Sequence, residues 1–380
     1  MPFTKLGLHS SLLPVLEQQG YTQPTPIQQQ AIPAILSKKD VLGIAQTGSG
    51  KTVSYVLPVL MNMQGSKVKN RHIHTLVLVP TRELAVQVNE VFQQFCNVLP
   101  QRIQAMAVYG GVSINPQMMQ LQGTEVLVAT PGRLLELIEN KAIHLSEIET
   151  LVLDEADKML NLGFRDEMEQ LFRLMPKVRQ NLLFSATMHE GVEGIVKQLL
   201  HKPIVVSIEN SFNTDTDLIV QRAYSVIPEK KGPLLRHLIQ QENMQHVLVF
   251  TSSVYQADNV ADKLRKNKID AVSIHSKKSQ GARTEALRDF KSGKLRVLVA
   301  TDLLARGIDI QFLPFVINYE LPRSPKDYIH RIGRTGRAEN PGVAISLIAP
   351  DEEHHFTIIQ QKMKKVVEVL DGEVELFAKK

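Results

Sequence analysis

Tryptophan is absent from the 380 residues, cysteine occurs once, and aromatic residues make up only 5%. The lone Cys96 excludes an intrachain disulfide and a cysteine-based zinc site. So few aromatic residues exclude a broad platform for stacking bases. No stretch reaches the roughly 18 apolar residues of a membrane span. Leu8–Leu16 is interrupted by His9, Ser10, Ser11 and Pro14, so no secretory leader is expected. These absences predict a cytoplasmic protein with no membrane partner. A large charge surplus is also lacking: the net charge is +5, with 18 basic and 17 acidic residues up to Ile208 and 26 and 22 after it. Any polyanion site must therefore come from local placement of charge. The twelve histidines show no metal-ligand spacing, and His72, His74, His354 and His355 read as exposed.

What is present is a rhythm. Short apolar runs, Thr75–Val79, Val126–Ala129, Thr150–Leu153 and Asn181–Phe184, alternate with amphipathic stretches such as Glu83–Phe95 and Arg133–Glu139. The same alternation restarts after residue 218, with Val247–Phe250, Ala271–Ile274, Arg296–Ala300, Phe315–Ile317 and Ala344–Leu347. Strands alternating with helices imply a parallel sheet covered on both faces, and two such series imply two α/β domains. The expected division is 1–208 and 218–380, joined by the polar linker 209–217 (ENSFNTDTD). Phe356–Leu370 reads as one amphipathic helix that carries Lys362, Lys364 and Lys365 on a solvated face.

The first series carries a phosphate site. Ala45-Gln46-Thr47-Gly48-Ser49-Gly50-Lys51-Thr52 follows the apolar run Val41–Ile44. A glycine-rich turn from strand to helix lets backbone N–H groups wrap phosphate oxygens at the positive end of the helix. Lys51 is expected to reach the β- and γ-phosphates, and the Thr52 hydroxyl to bind Mg²⁺. The general pattern has glycine where Ala45 stands. A second acidic partner for the metal belongs at the end of another strand, and Leu153-Asp154-Glu155-Ala156-Asp157 supplies it. Asp154 is the candidate for holding Mg²⁺, and Glu155 for orienting or deprotonating the attacking water. Taken alone, the acidic run could be a helix start, but its place at the end of the apolar run Leu151–Leu153, downstream of the phosphate loop, speaks against that.

With Ser185-Ala186-Thr187 following the next strand, the ordered set of motifs resembles the DEAD-box ATP-dependent RNA helicases from Phe3 to about Leu347. Pro24–Pro33, Gly110–Met119 and Lys278–Thr284 are most similar to the bacterial RhlE-type members. The resemblance implies two tandem RecA-like domains, ATP and Mg²⁺, and RNA-stimulated ATP hydrolysis coupled to local unwinding. It implies an adenine-reading segment of Phe3, Tyr21 and Gln28. Thr251, Ser252, Gln280, Arg283, Thr301 and Asp302 would contact RNA. Arg334 and Arg337 would be arginine fingers on the γ-phosphate. His330 would link to the DEAD or SAT segment, and Asp309 would bind the ribose. Ser185 and Thr187 would couple hydrolysis to unwinding.

Two turns of the first series fit the same picture from the residues upward. Pro80-Thr81-Arg82 and Thr130-Pro131-Gly132-Arg133 each follow a strand and place a hydroxyl, amides and an arginine at a helix start. Gly110-Gly111 allows close approach of backbone. Contacts of this kind are to the backbone of a nucleic acid and carry little sequence preference. The residues alone leave a DNA-directed helicase and a non-catalytic RNA clamp as rivals, whereas the resemblance implies single-stranded RNA and short RNA duplexes. Ser276 stands where the family commonly has glycine. Ribosomal and RNA-decay proteins are the protein partners that such enzymes suggest. Nothing in the sequence specifies an oligomeric state.

Overall fold

A computed structural model describes residues 2–46, 48–64, 72–208, 219–302, 313–336 and 342–377. The chain divides into two compact units, Met1–Asn210 and Ser211–Lys380. The expected linker 209–217 lies outside the described residues, as do Thr47, Asp309 and Arg337.

The first unit holds strands β1 (Val41–Ile44), β2 (Thr75–Leu78), β3 (Ala105–Val108), β4 (Val126–Ala129), β5 (Thr150–Asp154), β6 (Gln180–Ser185) and β7 (Ile204–Ser207). They form a seven-stranded sheet in the order β3-β4-β2-β5-β6-β1-β7. The second unit holds β8 (Ile219–Ser225), β9 (Val247–Thr251), β10 (Ala271–Ile274), β11 (Val297–Thr301), β12 (Phe315–Asn318), β13 (Gly342–Ile348) and β14 (Val369–Asp371). Their order, β10-β11-β9-β12-β13-β8-β14, repeats the first position for position. Neighbouring strands are parallel throughout both sheets.

The apolar runs are continuous because helices cover both faces of each sheet, as in tandem RecA-like domains. Successive side chains of a strand point to opposite faces and so enter different cores. Val77, Val128 and Val152 enter one core of the first unit, while Leu76, Leu127 and Leu151 enter the other. Val249 and Val299 likewise part from Leu248 and Leu298 in the second unit. Each such buried side chain contributes about 1.5–3 kcal/mol.

The structure departs from the sequence-based expectation in three places. The helix expected over Phe356–Leu370 runs instead from Glu353 to Met363. Lys364 closes it in the left-handed conformation, and Val369–Asp371 pairs with β8 as a strand. The valines at 366, 367 and 369 favour extended chain over helix. His74 is buried, not exposed, because it directly precedes the interior strand β2 and its amide donates to the Glu125 carbonyl. The apolar pattern also misses β3, β7, β8 and β14. Ala-Met-Ala-Val in β3 has weak strand propensity, β8 mixes polar with apolar residues, and β7 and β14 are exposed edges.

Candidate active site

The functional strings lie at the carboxyl ends of strands, where open α/β sheets bind ligands. Strand order sorts them into two groups. The phosphate loop follows β1, Ser185 ends β6 and Asp154 ends β5, and these three strands are neighbours. The turns at Thr81, Gly110-Gly111 and Thr130 follow β2, β3 and β4, which are neighbours on the other side of β5.

The phosphate loop is held by its own unit. Gly48 and Gly50 sit at φ of 83° and 88°, where only glycine is unstrained. Lys51 is buried, and its Nζ donates to the carbonyl of Ala45 at 2.8 Å. The Ala45 amide in turn donates to the Ser185 carbonyl at 3.1 Å. Ser49 Oγ donates to the Gln46 carbonyl at 2.8 Å.

The segment around Thr25 and Gln28, expected to read adenine, reaches the same loop. Thr25 Oγ1 donates to the Ser49 carbonyl at 2.8 Å, and Gln28 Nε2 to the Gly50 carbonyl at 3.2 Å. Gln28 Oε1 also accepts from the Thr25 amide, so its amide plane is fixed. Tyr21 packs at the edge of the first core. Phe3 lies within that core and is 5% exposed, so its ring is a packing element in this structure.

Asp154 is buried, and its Oδ2 accepts from Tyr55 Oη at 2.8 Å. Burial pushes its carboxyl above the ordinary value, the Lys51 charge opposes this, and Glu155 adds to it. Glu155 stands in the left-handed conformation at φ 56°, and its Oε1 pairs with Lys158 Nζ at 2.7 Å. Asp154 Oδ1 and Glu155 Oε2 are both buried without a hydrogen-bond partner among the described residues. Buried carboxylate oxygens rarely stay unpaired, so two in adjacent residues mark a place for a cation or polar ligand. A magnesium ion bound with a nucleotide needs only one or two carboxylates, the rest of its shell being phosphate and water. Thr52 and Asp154 fit that requirement. Asp157, which the sequence alone left without a role, accepts from Thr187 Oγ1 at 2.9 Å. Ser185 Oγ donates to the Thr187 carbonyl at 2.8 Å.

The second group in the first unit is also tied together. Thr81 caps its helix by accepting from the Leu84 amide. The Arg82 guanidinium lies directly over Gly111, in the space a Cβ there would fill. Arg133 is buried, bonds Glu136 at 2.7 Å, and donates through Nη2 to the Val112 carbonyl at 2.7 Å. Three strings distant in sequence thus meet at Gly111-Val112. Pro80 and Thr130 to Gly132 complete the two helix starts.

In the second unit Thr251 and Thr301 are register partners on β9 and β11. Ser252 donates from both N and Oγ to Glu320 Oε2 at 2.6 Å. Arg331 is buried and joins these loops: it holds both carboxylate oxygens of Asp302, Asn318 Oδ1 and the Glu320 carbonyl. Gln280 and Arg283 are buried at the start of the helix Gln280–Lys291. His330 and Arg331 close the helix Pro325–Ile332, and Arg334 follows in the turn, 7% exposed. Tyr55, Lys158, Glu320 and Arg331 are not signalled by the sequence; Lys158 and Arg331 directly follow Asp157 of the acidic run and the candidate His330, but only the fold reveals what they bind.

A phosphate loop, an acidic strand end and a duplicated parallel sheet define a nucleotide-hydrolysing protein of the tandem RecA-like class. Residues 25–195 match the DEAD/DEAH box helicase family, and residues 230–339 match the helicase conserved C-terminal domain. The chain belongs to the DEAD-box helicase family. It is 39% identical to the DEAD-box ATP-dependent RNA helicase RhpA of Helicobacter pylori, over 99% of this chain and 74% of that one. It is 41% identical to CshA of Streptococcus pneumoniae, over 96% of this chain and 69% of that one. Among solved structures, Saccharomyces cerevisiae Dbp5 bound to RNA and ADP BeF3 is similar, with 29% identity, a TM-score of 0.84, and 98% and 97% of the two chains covered.

Proposed function

We propose that the chain is an ATP-dependent RNA helicase in which RNA-stimulated ATP hydrolysis drives local, non-processive opening of short duplexes and RNA–protein complexes. The observation that carries this is the pair of buried oxygens on Asp154 and Glu155 that have no hydrogen-bond partner among the described residues, beside a phosphate loop whose Lys51 acts on Asp154.

In this reading Gly48 to Thr52 cradle the phosphates, with Ala45, Gln46 and Thr47 at the loop's entry. Tyr21 and Gln28 select adenine, and Phe3 braces that segment from the core. Thr52 and Asp154 hold magnesium, which when bound neutralises phosphate charge. Glu155 orients the attacking water and takes its proton. Arg334 and Arg337 steady the charge that develops on the γ-phosphate, an effect worth about 10³–10⁵ in rate, or about 4–7 kcal/mol of barrier. Asp309 binds the ribose, and His330 links to the DEAD or SAT segment.

RNA is held along its backbone by Pro80, Thr81, Arg82, Gly110, Gly111, Thr130, Pro131, Gly132 and Arg133 in the first unit. Thr251, Ser252, Gln280, Arg283 and Thr301 hold it in the second. The Asp302 carboxylate is taken up by Arg331, so Asp302 serves by shaping this loop. If ATP and RNA both favour one closed state, each must tighten the other's binding equally.

The RhlE-type affiliation is supported by Pro24–Pro33, Gly110–Met119 and Lys278–Thr284. Among the described residues no helix is long and apolar enough to cross a membrane. We place the enzyme in the cytoplasm, with ribosomal or RNA-decay proteins as its partners.

The test is ATP turnover with RNA, with DNA and with neither, for the parent chain and Lys51→Ala. RNA should stimulate the parent, DNA should not, and Lys51→Ala should abolish turnover. A parent that RNA leaves unstimulated would overturn the proposal, and stimulation by DNA alone would favour the rival.

A further inference from the structure

We propose that Tyr55 is a positioning residue for Asp154, one of the two residues assigned to magnesium, an inference that rests on reading this site as an ATPase centre. Tyr55 lies in the helix Lys51–Met63, one turn beyond Thr52, and is fully buried. Its ring packs 5.2 Å from Phe184 and 6.5 Å from Phe92. Those contacts require only a phenyl ring. The hydroxyl plays a separate part. It donates a hydrogen bond to Asp154 Oδ2 at 2.8 Å.

The carboxylate of Asp154 has two oxygens, and Tyr55 occupies Oδ2. Rotation about the carboxylate is thereby fixed, and Oδ1 is the oxygen left without a hydrogen-bond partner among the described residues. Removing the hydroxyl would leave Oδ2 as a second unsatisfied buried oxygen and free the carboxylate to turn. Tyr55 acts through Asp154, as outer-shell residues commonly do.

The experiment compares the parent with Tyr55→Phe, which keeps the ring and loses one oxygen. ADP affinity is measured for both with excess Mg²⁺ and with a chelator, alongside thermal unfolding. In the parent, Mg²⁺ should tighten ADP binding. In Tyr55→Phe that tightening should fall by about tenfold, while metal-free affinity stays within about twofold. A purely structural role would weaken both arms alike and would overturn the inference, as would an unchanged Mg²⁺ effect. If Mg²⁺ fails to tighten ADP even in the parent, the assignment of Thr52 and Asp154 falls first. A second readout keeps the hydroxyl: 3-fluorotyrosine placed at position 55 alone should change its ¹⁹F shift with Mg²⁺ and ADP but not with ADP and chelator. An identical shift in the two conditions would also overturn the inference.

Discussion

Thr187 Oγ1 donates to Asp157 Oδ2 at 2.9 Å, joining the segment after β6 to the last residue of the acidic run after β5. Ser185, at the end of β6, bonds the Thr187 carbonyl and gives its own carbonyl to the first residue of the phosphate loop. Short, direct contacts therefore run from the phosphate loop to Ser185 and on to Thr187. Ser185→Ala combined with Thr187→Ala should keep RNA-stimulated ATP turnover within about threefold and lower unwinding by about tenfold or more, the scale of removing one hydrogen bond or two. Parallel ATPase and duplex-unwinding assays read the two activities. An equal fall in both would rule out the coupling role.

Gly111 has φ 74°, and the Arg82 guanidinium occupies the space beside its Cα. Gly111→Ala should strain the backbone by about 1–3 kcal/mol and displace Arg82. RNA affinity, read by fluorescence anisotropy, should fall by about tenfold on that scale. ADP affinity should stay unchanged, because the phosphate loop lies across β5. The salt dependence of the residual binding should also flatten, by about 0.7 in log–log slope for each single-strand phosphate that is no longer neutralised.

Arg331 makes four hydrogen bonds with a flat, forked donor set and lies 4.9 Å from the Phe250 ring centre. Lysine offers a single point of charge in its place. Arg331→Lys should lower the stability of the second unit by about 2–3 kcal/mol, at the low end for a broken buried pair because Asp302 is partly exposed. Urea unfolding measures this. RNA binding should weaken as well, since Glu320 then loses the anchor that aims it at Ser252.

Asp258 Oδ1 faces Ser273 at 2.6 Å, His275 at 3.0 Å and Lys278 at 2.9 Å. Burial would raise its carboxyl, but the bonds from Ser273, His275 and Lys278 outweigh it and hold the group well below the usual carboxylate range. A depressed folded-state value adds stability above the unfolded pKa and loses it as pH falls through the folded one. Asp258→Asn should therefore cost the second unit under about 1 kcal/mol at neutral pH, since the group is partly exposed. The difference from the parent should shrink as pH drops below about 4. Urea titrations across that range test it, and a gap that widens toward acid would contradict it.

The sheets were legible because buried parallel strands read as unbroken apolar runs, as in Leu76–Leu78 and Val297–Ala300. The edges were not. The residues of β14 are all exposed and lie where apolar spacing suggested a helix; pairing with β8 decides their state, and pairing is not local information. The phosphate loop and acidic strand end were legible because backbone geometry dictates their residue types. Phe3 shows the limit: an aromatic residue near the terminus is equally suited to stacking and to packing, and only burial distinguishes them. Glu320 lay beyond reach because it meets Ser252 across 68 residues of chain.

The cores of the first unit draw on residues up to Ile208 and those of the second on residues from Ile219 onward. Domains with their own cores commonly depart from a single two-state transition. Calorimetry of the ligand-free chain should thus resolve two heat-absorption events, and a lesion such as Arg331→Lys should move just one of them.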